Sequence, residues 1–350
     1  MITVKIADKA DHKIWDNYVI SHPDAWPYHC FAWRNVIEKA YRHTAYYLMA
    51  EDNRKIVGVL PMIHLRFPYL VNELTALPYC DVGNFVCDNK NVFEKLLSSA
   101  VELGNKLKVD KIHIRGQLPV DNCGNALLAD DQNDKVRMLL NLPDSSKKLQ
   151  DNFKSKLRSQ IRKAEKNGII FRWGGIESVQ DYYAVFSENM RDLGSPVHSI
   201  KLFHSIIENF GDNAKMGLVD LNGKTIGAGI ILTVGNKVSI PWASTLRKHN
   251  RLSPNMLLYW NFLKYSCDTG FNIFDFGRSS KGEGTFKFKA QWGAKPIELD
   301  WYSILLGNNK TEKDTKASPQ RRHFFAALWR KLPLPIANSL GPFVRKHISL

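Results

Sequence analysis

The amino-acid sequence predicts an α/β (α+β) protein with two tandem lobes, each a mixed sheet flanked by helices. Three observations lead to this fold class: a length of 350 residues, strand-like and helix-like segments that interleave along the chain, and a weak internal repeat. Such a length exceeds the usual size of a single hydrophobic core, so two domains of ordinary dimensions are expected. Interleaved strands and helices favour sheets covered by helices over a helical bundle or a β-sandwich.

The first half of the chain supplies one set of elements. The predicted elements are a helix at 33–41, paired strands at 46–50 and 55–63, an amphipathic helix at 92–107 and a strand at 111–115.

The second half repeats the order of hairpin, helix and strand. The predicted elements are strands at 216–221, 224–234 and 237–243, a helix from 253 to about 268, and a strand at 272–276. Asn222-Gly223 suits the positive backbone angles of a tight hairpin turn. Ser253 and Pro254 provide an N-cap and a first helical residue, and Gly270 ends the helix.

The repeat and the polar segments define the predicted domains. Residues 53–59 match residues 222–228, which we interpret as a duplication; chance similarity between two hairpins is the alternative. A turn-forming segment at 142–152 separates the lobes, and a polar segment at 307–319 follows the second. The predicted domains are a first lobe at 1–150, a second lobe at 151–306 and a tail at 307–350.

The tail contains two short predicted helices, at 323–331 and 336–347. Their mixture of aromatic, aliphatic and basic side chains is typical of an amphipathic anchor that lies on a membrane surface. Packing against the second lobe is the alternative.

Charge is distributed unevenly along the chain, whose formal net charge is +15. Between residues 147 and 166 eight Lys or Arg residues are opposed only by Asp151 and Glu165, and no acidic residue follows Asp314. Such patches suit RNA, phosphorylated or nucleotide-bearing substrates, or an acidic membrane face. A solvated basic surface is the alternative.

The cysteines and the N-terminus bear on the cellular compartment. Five scattered cysteines, without a CxxC pair or a His at ligand spacing, predict reduced thiols and no metal site. Residues 1–13 contain no apolar signal core, and no later run approaches a membrane span. We expect a cytoplasmic protein, with peripheral contact at the inner membrane face through 320–350 if the tail is an anchor.

Common catalytic motifs are missing from the sequence. Because it has no GxxxxGK[ST], GxSxG or HExxH, NTP hydrolysis, lipase-type acyl enzymes and zinc proteolysis are disfavoured. Direct group transfer without a tightly bound cofactor fits better.

The segment that follows the second hairpin indicates a donor site. In acetyltransferase-like lobes, splayed strands, a loop and a helix N-terminus receive an activated acyl donor, because unpaired N–H groups attract an anion. Here Arg251 and Asn255 at the helix start, with Tyr259 one turn later, are the predicted donor-binding residues; burial in the core is the alternative for Tyr259. No glycine lies between Gly235 and Gly270, which disfavours the glycine-rich loop of a coenzyme A enzyme.

The segment 272–293 is the most informative in the chain. Its strand ends in Gly277-Arg278-Ser279, which places a cation and hydroxyls at the strand end. Arg278, Ser279 and Lys281 are predicted to hold a phosphate or carboxylate of the substrate; a flexible basic loop is the alternative.

Four segments together resemble the FemAB-like family, transferases related to those that add amino acids to peptidoglycan precursors. The segments are 157–168, the helix containing Asn255, Phe274-Asp275-Phe276-Gly277 and Phe288-Lys289-Ala290-Gln291-Trp292-Gly293. The tail resembles a branch found with exosortase and exopolysaccharide systems.

The resemblance implies two GNAT-like lobes and transfer of an acyl or aminoacyl group to an amine of an anionic, often lipid-linked, envelope precursor. It implies that Lys289, next to Phe288, stabilises negative charge on the attacked carbonyl; a solvated helix residue is the alternative. It also places Tyr79 and Asp81 beside the acceptor, where Asp81 could instead cap a turn.

Trp242, at the end of a strand, is a further predicted acceptor contact, and burial explains it equally well.

Three readings of the function stay open at the sequence level. The first is a FemAB-like transferase whose co-substrate is aminoacyl-tRNA or acyl-CoA, although the long helical arm linked with tRNA contacts is missing. The second is a coenzyme A-dependent acetyltransferase of a small amine or sugar. The third is a catalytically idle binder of RNA or an anionic membrane. The oligomeric state is not predicted.

Overall fold

The computed structural model describes residues 1–67, 71–116, 118, 128–129, 135–306 and 319–349. Two compact units make up the chain. The first comprises Met1–Lys135, Glu298–Lys316 and His347–Leu350, and the second comprises Val136–Ile297 and Ala317–Lys346.

The elements up to residue 129 belong to the first unit. In chain order they are β1 (Thr3–Ile6), α1 (His12–Ser21), α2 (Phe31–Tyr41), β2 (Thr44–Asp52), β3 (Lys55–Phe67), β4 (Val71–Ala76), β5 (Val86–Cys87), α3 (Lys90–Leu107), β6 (Lys111–Arg115) and β7 (Leu128–Ala129).

The remaining elements belong to the second unit, except β15 (Trp301–Leu305), which belongs to the first. They are β8 (Lys135–Asn141), α4 (Ser146–Asp151), α5 (Ser155–Lys166), β9 (Ile170–Gly174), α6 (Val179–Leu193), α7 (Ile200–Phe210), β10 (Ala214–Leu221), β11 (Lys224–Val234), β12 (Lys237–Thr245), α8 (Pro254–Asp268), β13 (Ile273–Ser280), α9 (Gly284–Ala290), β14 (Lys295–Glu298), β15 (Trp301–Leu305), α10 (Pro319–Arg330) and α11 (Leu334–Arg345).

The sheet of the first unit has the strand order β1-β2-β3-β4-β6-β15-β7, with β5 paired to β3. β4 and β6 pair in parallel, and the connection between them contains β5 and the helix α3. The side-chain oxygen of Asn89 accepts from the Val92 N–H at 3.1 Å and starts α3. The buried face of α3, with Val92, Leu96 and Ala100, packs on the sheet to form the core.

The sheet of the second unit has the order β14-β8-β13-β12-β11-β10-β9. β12 and β13 are parallel and are joined by α8. Gly217 and Gly229 are paired on neighbouring strands, and a Cβ on either would lie within 3.0 Å of the Phe262 ring of α8. Their lack of side chains lets α8 bury Phe262 against the sheet.

The two hairpins that suggested a duplication have the same geometry. Each has a two-residue turn with positive φ at both positions, Asn53-Arg54 in one and Asn222-Gly223 in the other. In each, the first strand also has a register shift just before the turn, at Ala50/Glu51 and at Val219/Asp220. With the parallel strand pair and its connecting helix, this supports a duplication over chance similarity.

The division of the chain differs from the boundaries predicted at residues 150 and 306. β8 lies in the second sheet, and the predicted linker contains α4, which is attached to the second unit because the Ser146 N–H and hydroxyl both donate to Asp268 at 2.9 Å. β15 pairs with β6 in the first sheet. Each sheet therefore contains a strand from the other half of the sequence.

The C-terminal helices pack on α6 in the second unit. Gly341 of α11 lies against Val197, and Gly194 lies against Ala326 of α10. The predicted polar segment 307–319 falls almost entirely outside the described residues. Among the helices that the structure describes, none has the length and apolarity to cross a membrane.

Candidate active site

β12 and β13 run side by side only at their starts. Their parallel pairing covers residues 237–239 of β12 and 273–275 of β13. Both strands continue for several more residues without pairing with each other. The strands therefore part, and main-chain groups of both face the gap between them.

A β-bulge accounts for the parting. Ser239 pairs with Leu232 and Trp242 pairs with Ile230, so β12 has one more residue than β11 in this interval. A bulge bends its strand, and bulges are frequent beside active sites. The inserted stretch contains Pro241, which has no N–H to donate to a neighbouring strand. The splayed strands expected from the sequence are thus present.

The N-terminus of α8 follows β12 after a 3-10 turn at Arg247–Leu252. Ser253 occupies the N-cap position in the left-handed region, with φ of 60°, and its side chain makes no capping hydrogen bond. The predicted positions of Ser253 as N-cap and Pro254 as first helical residue are confirmed, but the hydroxyl makes no cap, because this backbone conformation differs from the extended one typical of a capping Ser. Asn255, half-buried, and Arg251, exposed, lie at this helix start. Their contact with a donor stays a prediction.

A basic surface adjoins the start of α8. Asn167 at the end of α5 donates from Nδ2 to the Leu252 carbonyl at 3.3 Å and so attaches α5 to the 3-10 turn. α5 buries Leu157 and Ile161 and turns its cations outward. The exposed cations of these two elements, hereafter the basic surface, are Lys156, Arg162, Lys163, Lys166, Arg247, Lys248 and Arg251.

Lys289 of α9 points into the protein. Its side chain is buried, and Nζ donates to the main-chain carbonyl of Arg278 at 2.7 Å. Lys287, two residues earlier in the same helix, is exposed. Lys289 is therefore not a solvated helix residue, and its predicted catalytic role remains a prediction.

A buried ion pair shapes the backbone that Lys289 contacts. Arg137 of β8 donates from Nε and Nη2 to Oδ2 of Asp275 at 2.9 and 2.7 Å. Oδ1 of Asp275 accepts from the Gly277 N–H at 2.8 Å, and Gly277 has φ of +73°, a conformation that favours glycine. This pair fixes the turn that presents the Arg278 carbonyl. Sequence reasoning missed Arg137, because its partner lies 138 residues away.

The three predicted anion-binding residues lie together at the end of β13. Arg278 is half-buried, Lys281 is exposed, and Ser279 is buried. Within the described chain, the Ser279 hydroxyl has no hydrogen-bond partner. Buried polar groups of this kind are uncommon, and the role of Ser279 in binding a substrate group stays a prediction.

Aromatic side chains pack on Phe288, the residue before Lys289 in α9. The Tyr259 ring stacks on Phe276 with centroids 5.7 Å apart, and Phe288 meets it edge-on at 5.0 Å. Burial raises the pKa of the Tyr259 hydroxyl, which stays protonated at neutral pH. The structure thus brings Tyr259 and Phe288 together.

Trp242 lies elsewhere. The bulge carries its side chain to the sheet face of Ser239, where its ring packs on Phe203 at 5.4 Å and on His198 at 5.8 Å. Asp275 pairs with Ser239 and so lies on the same sheet face as Trp242. Phe276 follows Asp275 in β13 and points to the opposite face, where Tyr259 packs on it. Trp242 is therefore not part of the aromatic group at Phe288.

Tyr79 and Asp81 belong to the first unit, in a turn after β4. Tyr79 is buried, has φ of 69°, and its hydroxyl lies 3.2 Å from His43 Nε2, whereas Asp81 is half-buried. Here, too, the parallel pairing of β4 and β6 covers three positions. Beyond it, Gly83 and Arg115 exchange two main-chain hydrogen bonds of 2.8 Å. In the first unit this turn therefore occupies the place that corresponds to the gap between β12 and β13 in the second unit.

Part of the chain is similar to a known protein family. Residues 151–290 match the family model described as an acetyltransferase (GNAT) domain. No curated protein matches the sequence.

Solved structures extend the similarity to most of the chain. FemX, of the FemAB family, is 16% identical with a TM-score of 0.68, covering 87% of this chain and 97% of FemX. The C-terminal domain of a putative lysylphosphatidylglycerol synthetase from Agrobacterium fabrum is 11% identical with a TM-score of 0.59, covering 87% and 93%. A tandem GNAT protein from the clavulanic acid biosynthesis pathway is 13% identical with a TM-score of 0.52, covering 88% and 99%.

These similarities define the class as an acyltransferase built on tandem GNAT lobes. The fold class and the resemblance to the FemAB-like family predicted from the sequence are thereby confirmed. Among the described residues, no three His, Cys, Asp or Glu side chains are grouped as metal ligands.

Proposed function

We propose that this protein transfers an aminoacyl or acyl group from an activated donor to an amine of an anionic cell-envelope or exopolysaccharide precursor. The observation that carries the proposal is the gap between β12 and β13 beside the buried Lys289. The second unit would bind the donor, because the corresponding opening of the first unit is filled by its own main chain.

The proposed reaction is a direct attack. The acceptor amine nitrogen forms a bond to the acyl carbon, and the carbonyl oxygen takes up negative charge. As the carbonyl re-forms, the bond from carbon to the donor oxygen or sulfur breaks, and the proton lost by the amine passes to that leaving group. The Lys289 ammonium, held in place by the Arg278 carbonyl, would stabilise the negative oxygen, since a preorganised charge needs no reorganisation.

Aminoacyl-tRNA is the donor that the surface favours. The basic surface adjoins the start of α8, and a row of exposed cations on a helix suits a nucleic-acid backbone. The segment between Gly235 and Gly270 has no glycine with which to wrap a diphosphate. Acyl-CoA remains the alternative donor, because the helix N-terminus also attracts a diphosphate.

The acceptor is proposed as an envelope precursor, soluble or lipid-linked. Arg278 and Ser279, at the end of β13, would bind its anionic group. A lipid-linked acceptor would place the reaction at the inner face of the membrane.

The direct test offers both donors in parallel. Charged tRNA and acyl-CoA, each labelled in the acyl group, are incubated with the protein and amine-bearing envelope precursors, and label in the precursor is measured. Transfer from tRNA alone supports the proposal, and transfer from acyl-CoA to a small amine or sugar supports the acetyltransferase alternative. If a folded protein labels no precursor from either donor, the proposal fails.

Lys289→Met should lower kcat/KM for transfer by roughly 100-fold, because it keeps the length of the side chain and removes the charge. Lys287→Met is the matched control, with the same change on the exposed face of the same helix. Thermal unfolding of both variants checks that they are folded. Intact transfer in Lys289→Met with loss in Lys287→Met would contradict the assignment.

A further inference from the structure

The two C-terminal helices leave a broad apolar face exposed. On α10 it comprises Phe324, Phe325 and Leu328, which are 67%, 63% and 53% exposed. On α11 it comprises Ile336, Leu340, Phe343 and Val344, which are 46%, 49%, 58% and 37% exposed. We call these seven residues the tail face. Large apolar side chains exposed together along a helix often mark an interaction site.

The tail face of α10 is opposite to the side by which the helix is attached. Ala326 lies against Gly194, and Arg330 Nη2 is 3.5 Å from the Leu193 carbonyl. At 100° per residue, Phe324 and Leu328 lie on the other side of the helix.

The tail face of α11 lies beside its attached side. Ala337 and Gly341 are buried, and Asn338 donates to Ser187 of α6 at 3.3 Å. The exposed apolar residues follow the spacing i, i+4, i+7 and i+8, which is a single stripe along one edge of the buried side. Both helices are therefore held on the second unit and leave an apolar stripe exposed.

The charges that the two helices carry have one sign. Lys331 is exposed at the end of α10, and Lys346 after α11 lies over the Phe343 ring at 5.0 Å. The sequence has no acidic residue after Asp314. Aromatic and aliphatic side chains ringed by cations are the composition of helices that lie in the interface of an anionic bilayer.

We propose that α10 and α11 dock this protein on the surface of an anionic membrane, with the tail face in the acyl-chain boundary and Lys331 and Lys346 at the lipid headgroups. A second copy of the chain is the weaker occupant, because pairing two tail faces would bring these cations together without an acidic partner on either helix. The proposal does not depend on the transfer reaction.

Vesicle sedimentation of the full chain tests the proposal. Vesicles of phosphatidylglycerol and phosphatidylcholine are compared with vesicles of phosphatidylcholine alone, at low and high salt. Binding is expected to the anionic vesicles, with at least a tenfold loss in phosphatidylcholine alone or in high salt. Equal binding to both vesicle types, or none to either, would overturn the proposal.

Variants distinguish binding through the tail face from nonspecific hydrophobic binding elsewhere on the protein. Phe324→Glu combined with Phe343→Glu should lower binding to the anionic vesicles at least tenfold. Ile14→Glu combined with Ile20→Glu is the matched control, since these residues of α1 are 47% and 51% exposed. Hydrogen exchange should show protection of α10 and α11 on anionic vesicles. Unchanged binding of the tail variant, or dimerisation through the tail face without vesicle binding, would refute the docking.

Discussion

At the scale of single residues, the site depends on which of two neighbouring lysines is buried. The residue pattern places Lys287 and Lys289 in one short helix, and only the fold distinguishes them: Lys289 donates to the Arg278 carbonyl, whereas Lys287 is exposed. The carbonyl is in reach because Asp275 holds the Gly277 turn. The position of the Lys289 charge thus depends on the buried ion pair between Arg137 and Asp275.

Asp275→Asn should destabilise the protein by about 3 kcal/mol, because removing one partner leaves the buried Arg137 cation uncompensated. The free energy of unfolding is measured with denaturant. In the double variant with Arg137→Met the charge is removed too, and part of the loss should be recovered. A double variant as unstable as the sum of the two single variants would show that the charges do not interact.

At the scale of elements, local signals predict well and non-local pairing does not. Asn222-Gly223 and the helix ending at Gly270 were predictable because turn and cap preferences act within a few residues. The exchange of β8 and β15 between sheets was not, because strand pairing is set by the whole fold.

The candidate site shows the same division. The end of β13 with Arg278 was predictable from its glycine, cation and hydroxyls, and so was a splayed strand pair. The bulge moves Trp242 to the other sheet face, because a one-residue insertion reverses the alternation of side chains beyond it. The position of such an insertion depends on the pairing with β11, which the sequence pattern of β12 alone does not give.

His198, where α11 meets the second unit, should make stability depend on pH. Its Nε2 accepts from Arg345 Nε at 3.1 Å, which requires the neutral ring, and burial together with the Arg345 charge holds its pKa well below the usual value. Below the unfolded pKa of about 6.5 the unfolded chain binds a proton that the folded chain does not, so stability falls as pH is lowered.

The expected loss from His198 is about 1 kcal/mol between pH 6.5 and 5.5, measured by unfolding at a series of pH values. His198→Gln keeps an acceptor for Arg345 and should reduce the slope. Some slope should remain, because burial also lowers the pKa of His113. An unchanged slope in the variant would show that His198 is protonated in the folded protein.

At the scale of the whole molecule, exposed positive charge lies in two different surroundings. The basic surface adjoins the proposed donor site, and the tail combines its cations with exposed apolar side chains. Both lie in elements of the second unit, whereas the first unit fills its own strand opening with main chain. Under the proposed function, duplication followed by such divergence would leave one lobe to bind the donor.

If the basic surface binds RNA, Lys156→Glu combined with Arg162→Glu should weaken tRNA binding at least tenfold and lower the slope of log affinity against log salt by about 2, since each cation that contacts a phosphate releases roughly one counterion. Fluorescence anisotropy of labelled tRNA at several salt concentrations measures both quantities. Lys9→Glu combined with Lys13→Glu is the matched control, because it changes the net charge equally at exposed positions of the first unit. A local site requires the control to bind almost normally, whereas an equal loss in both variants would mean that only the net charge of +15 attracts RNA.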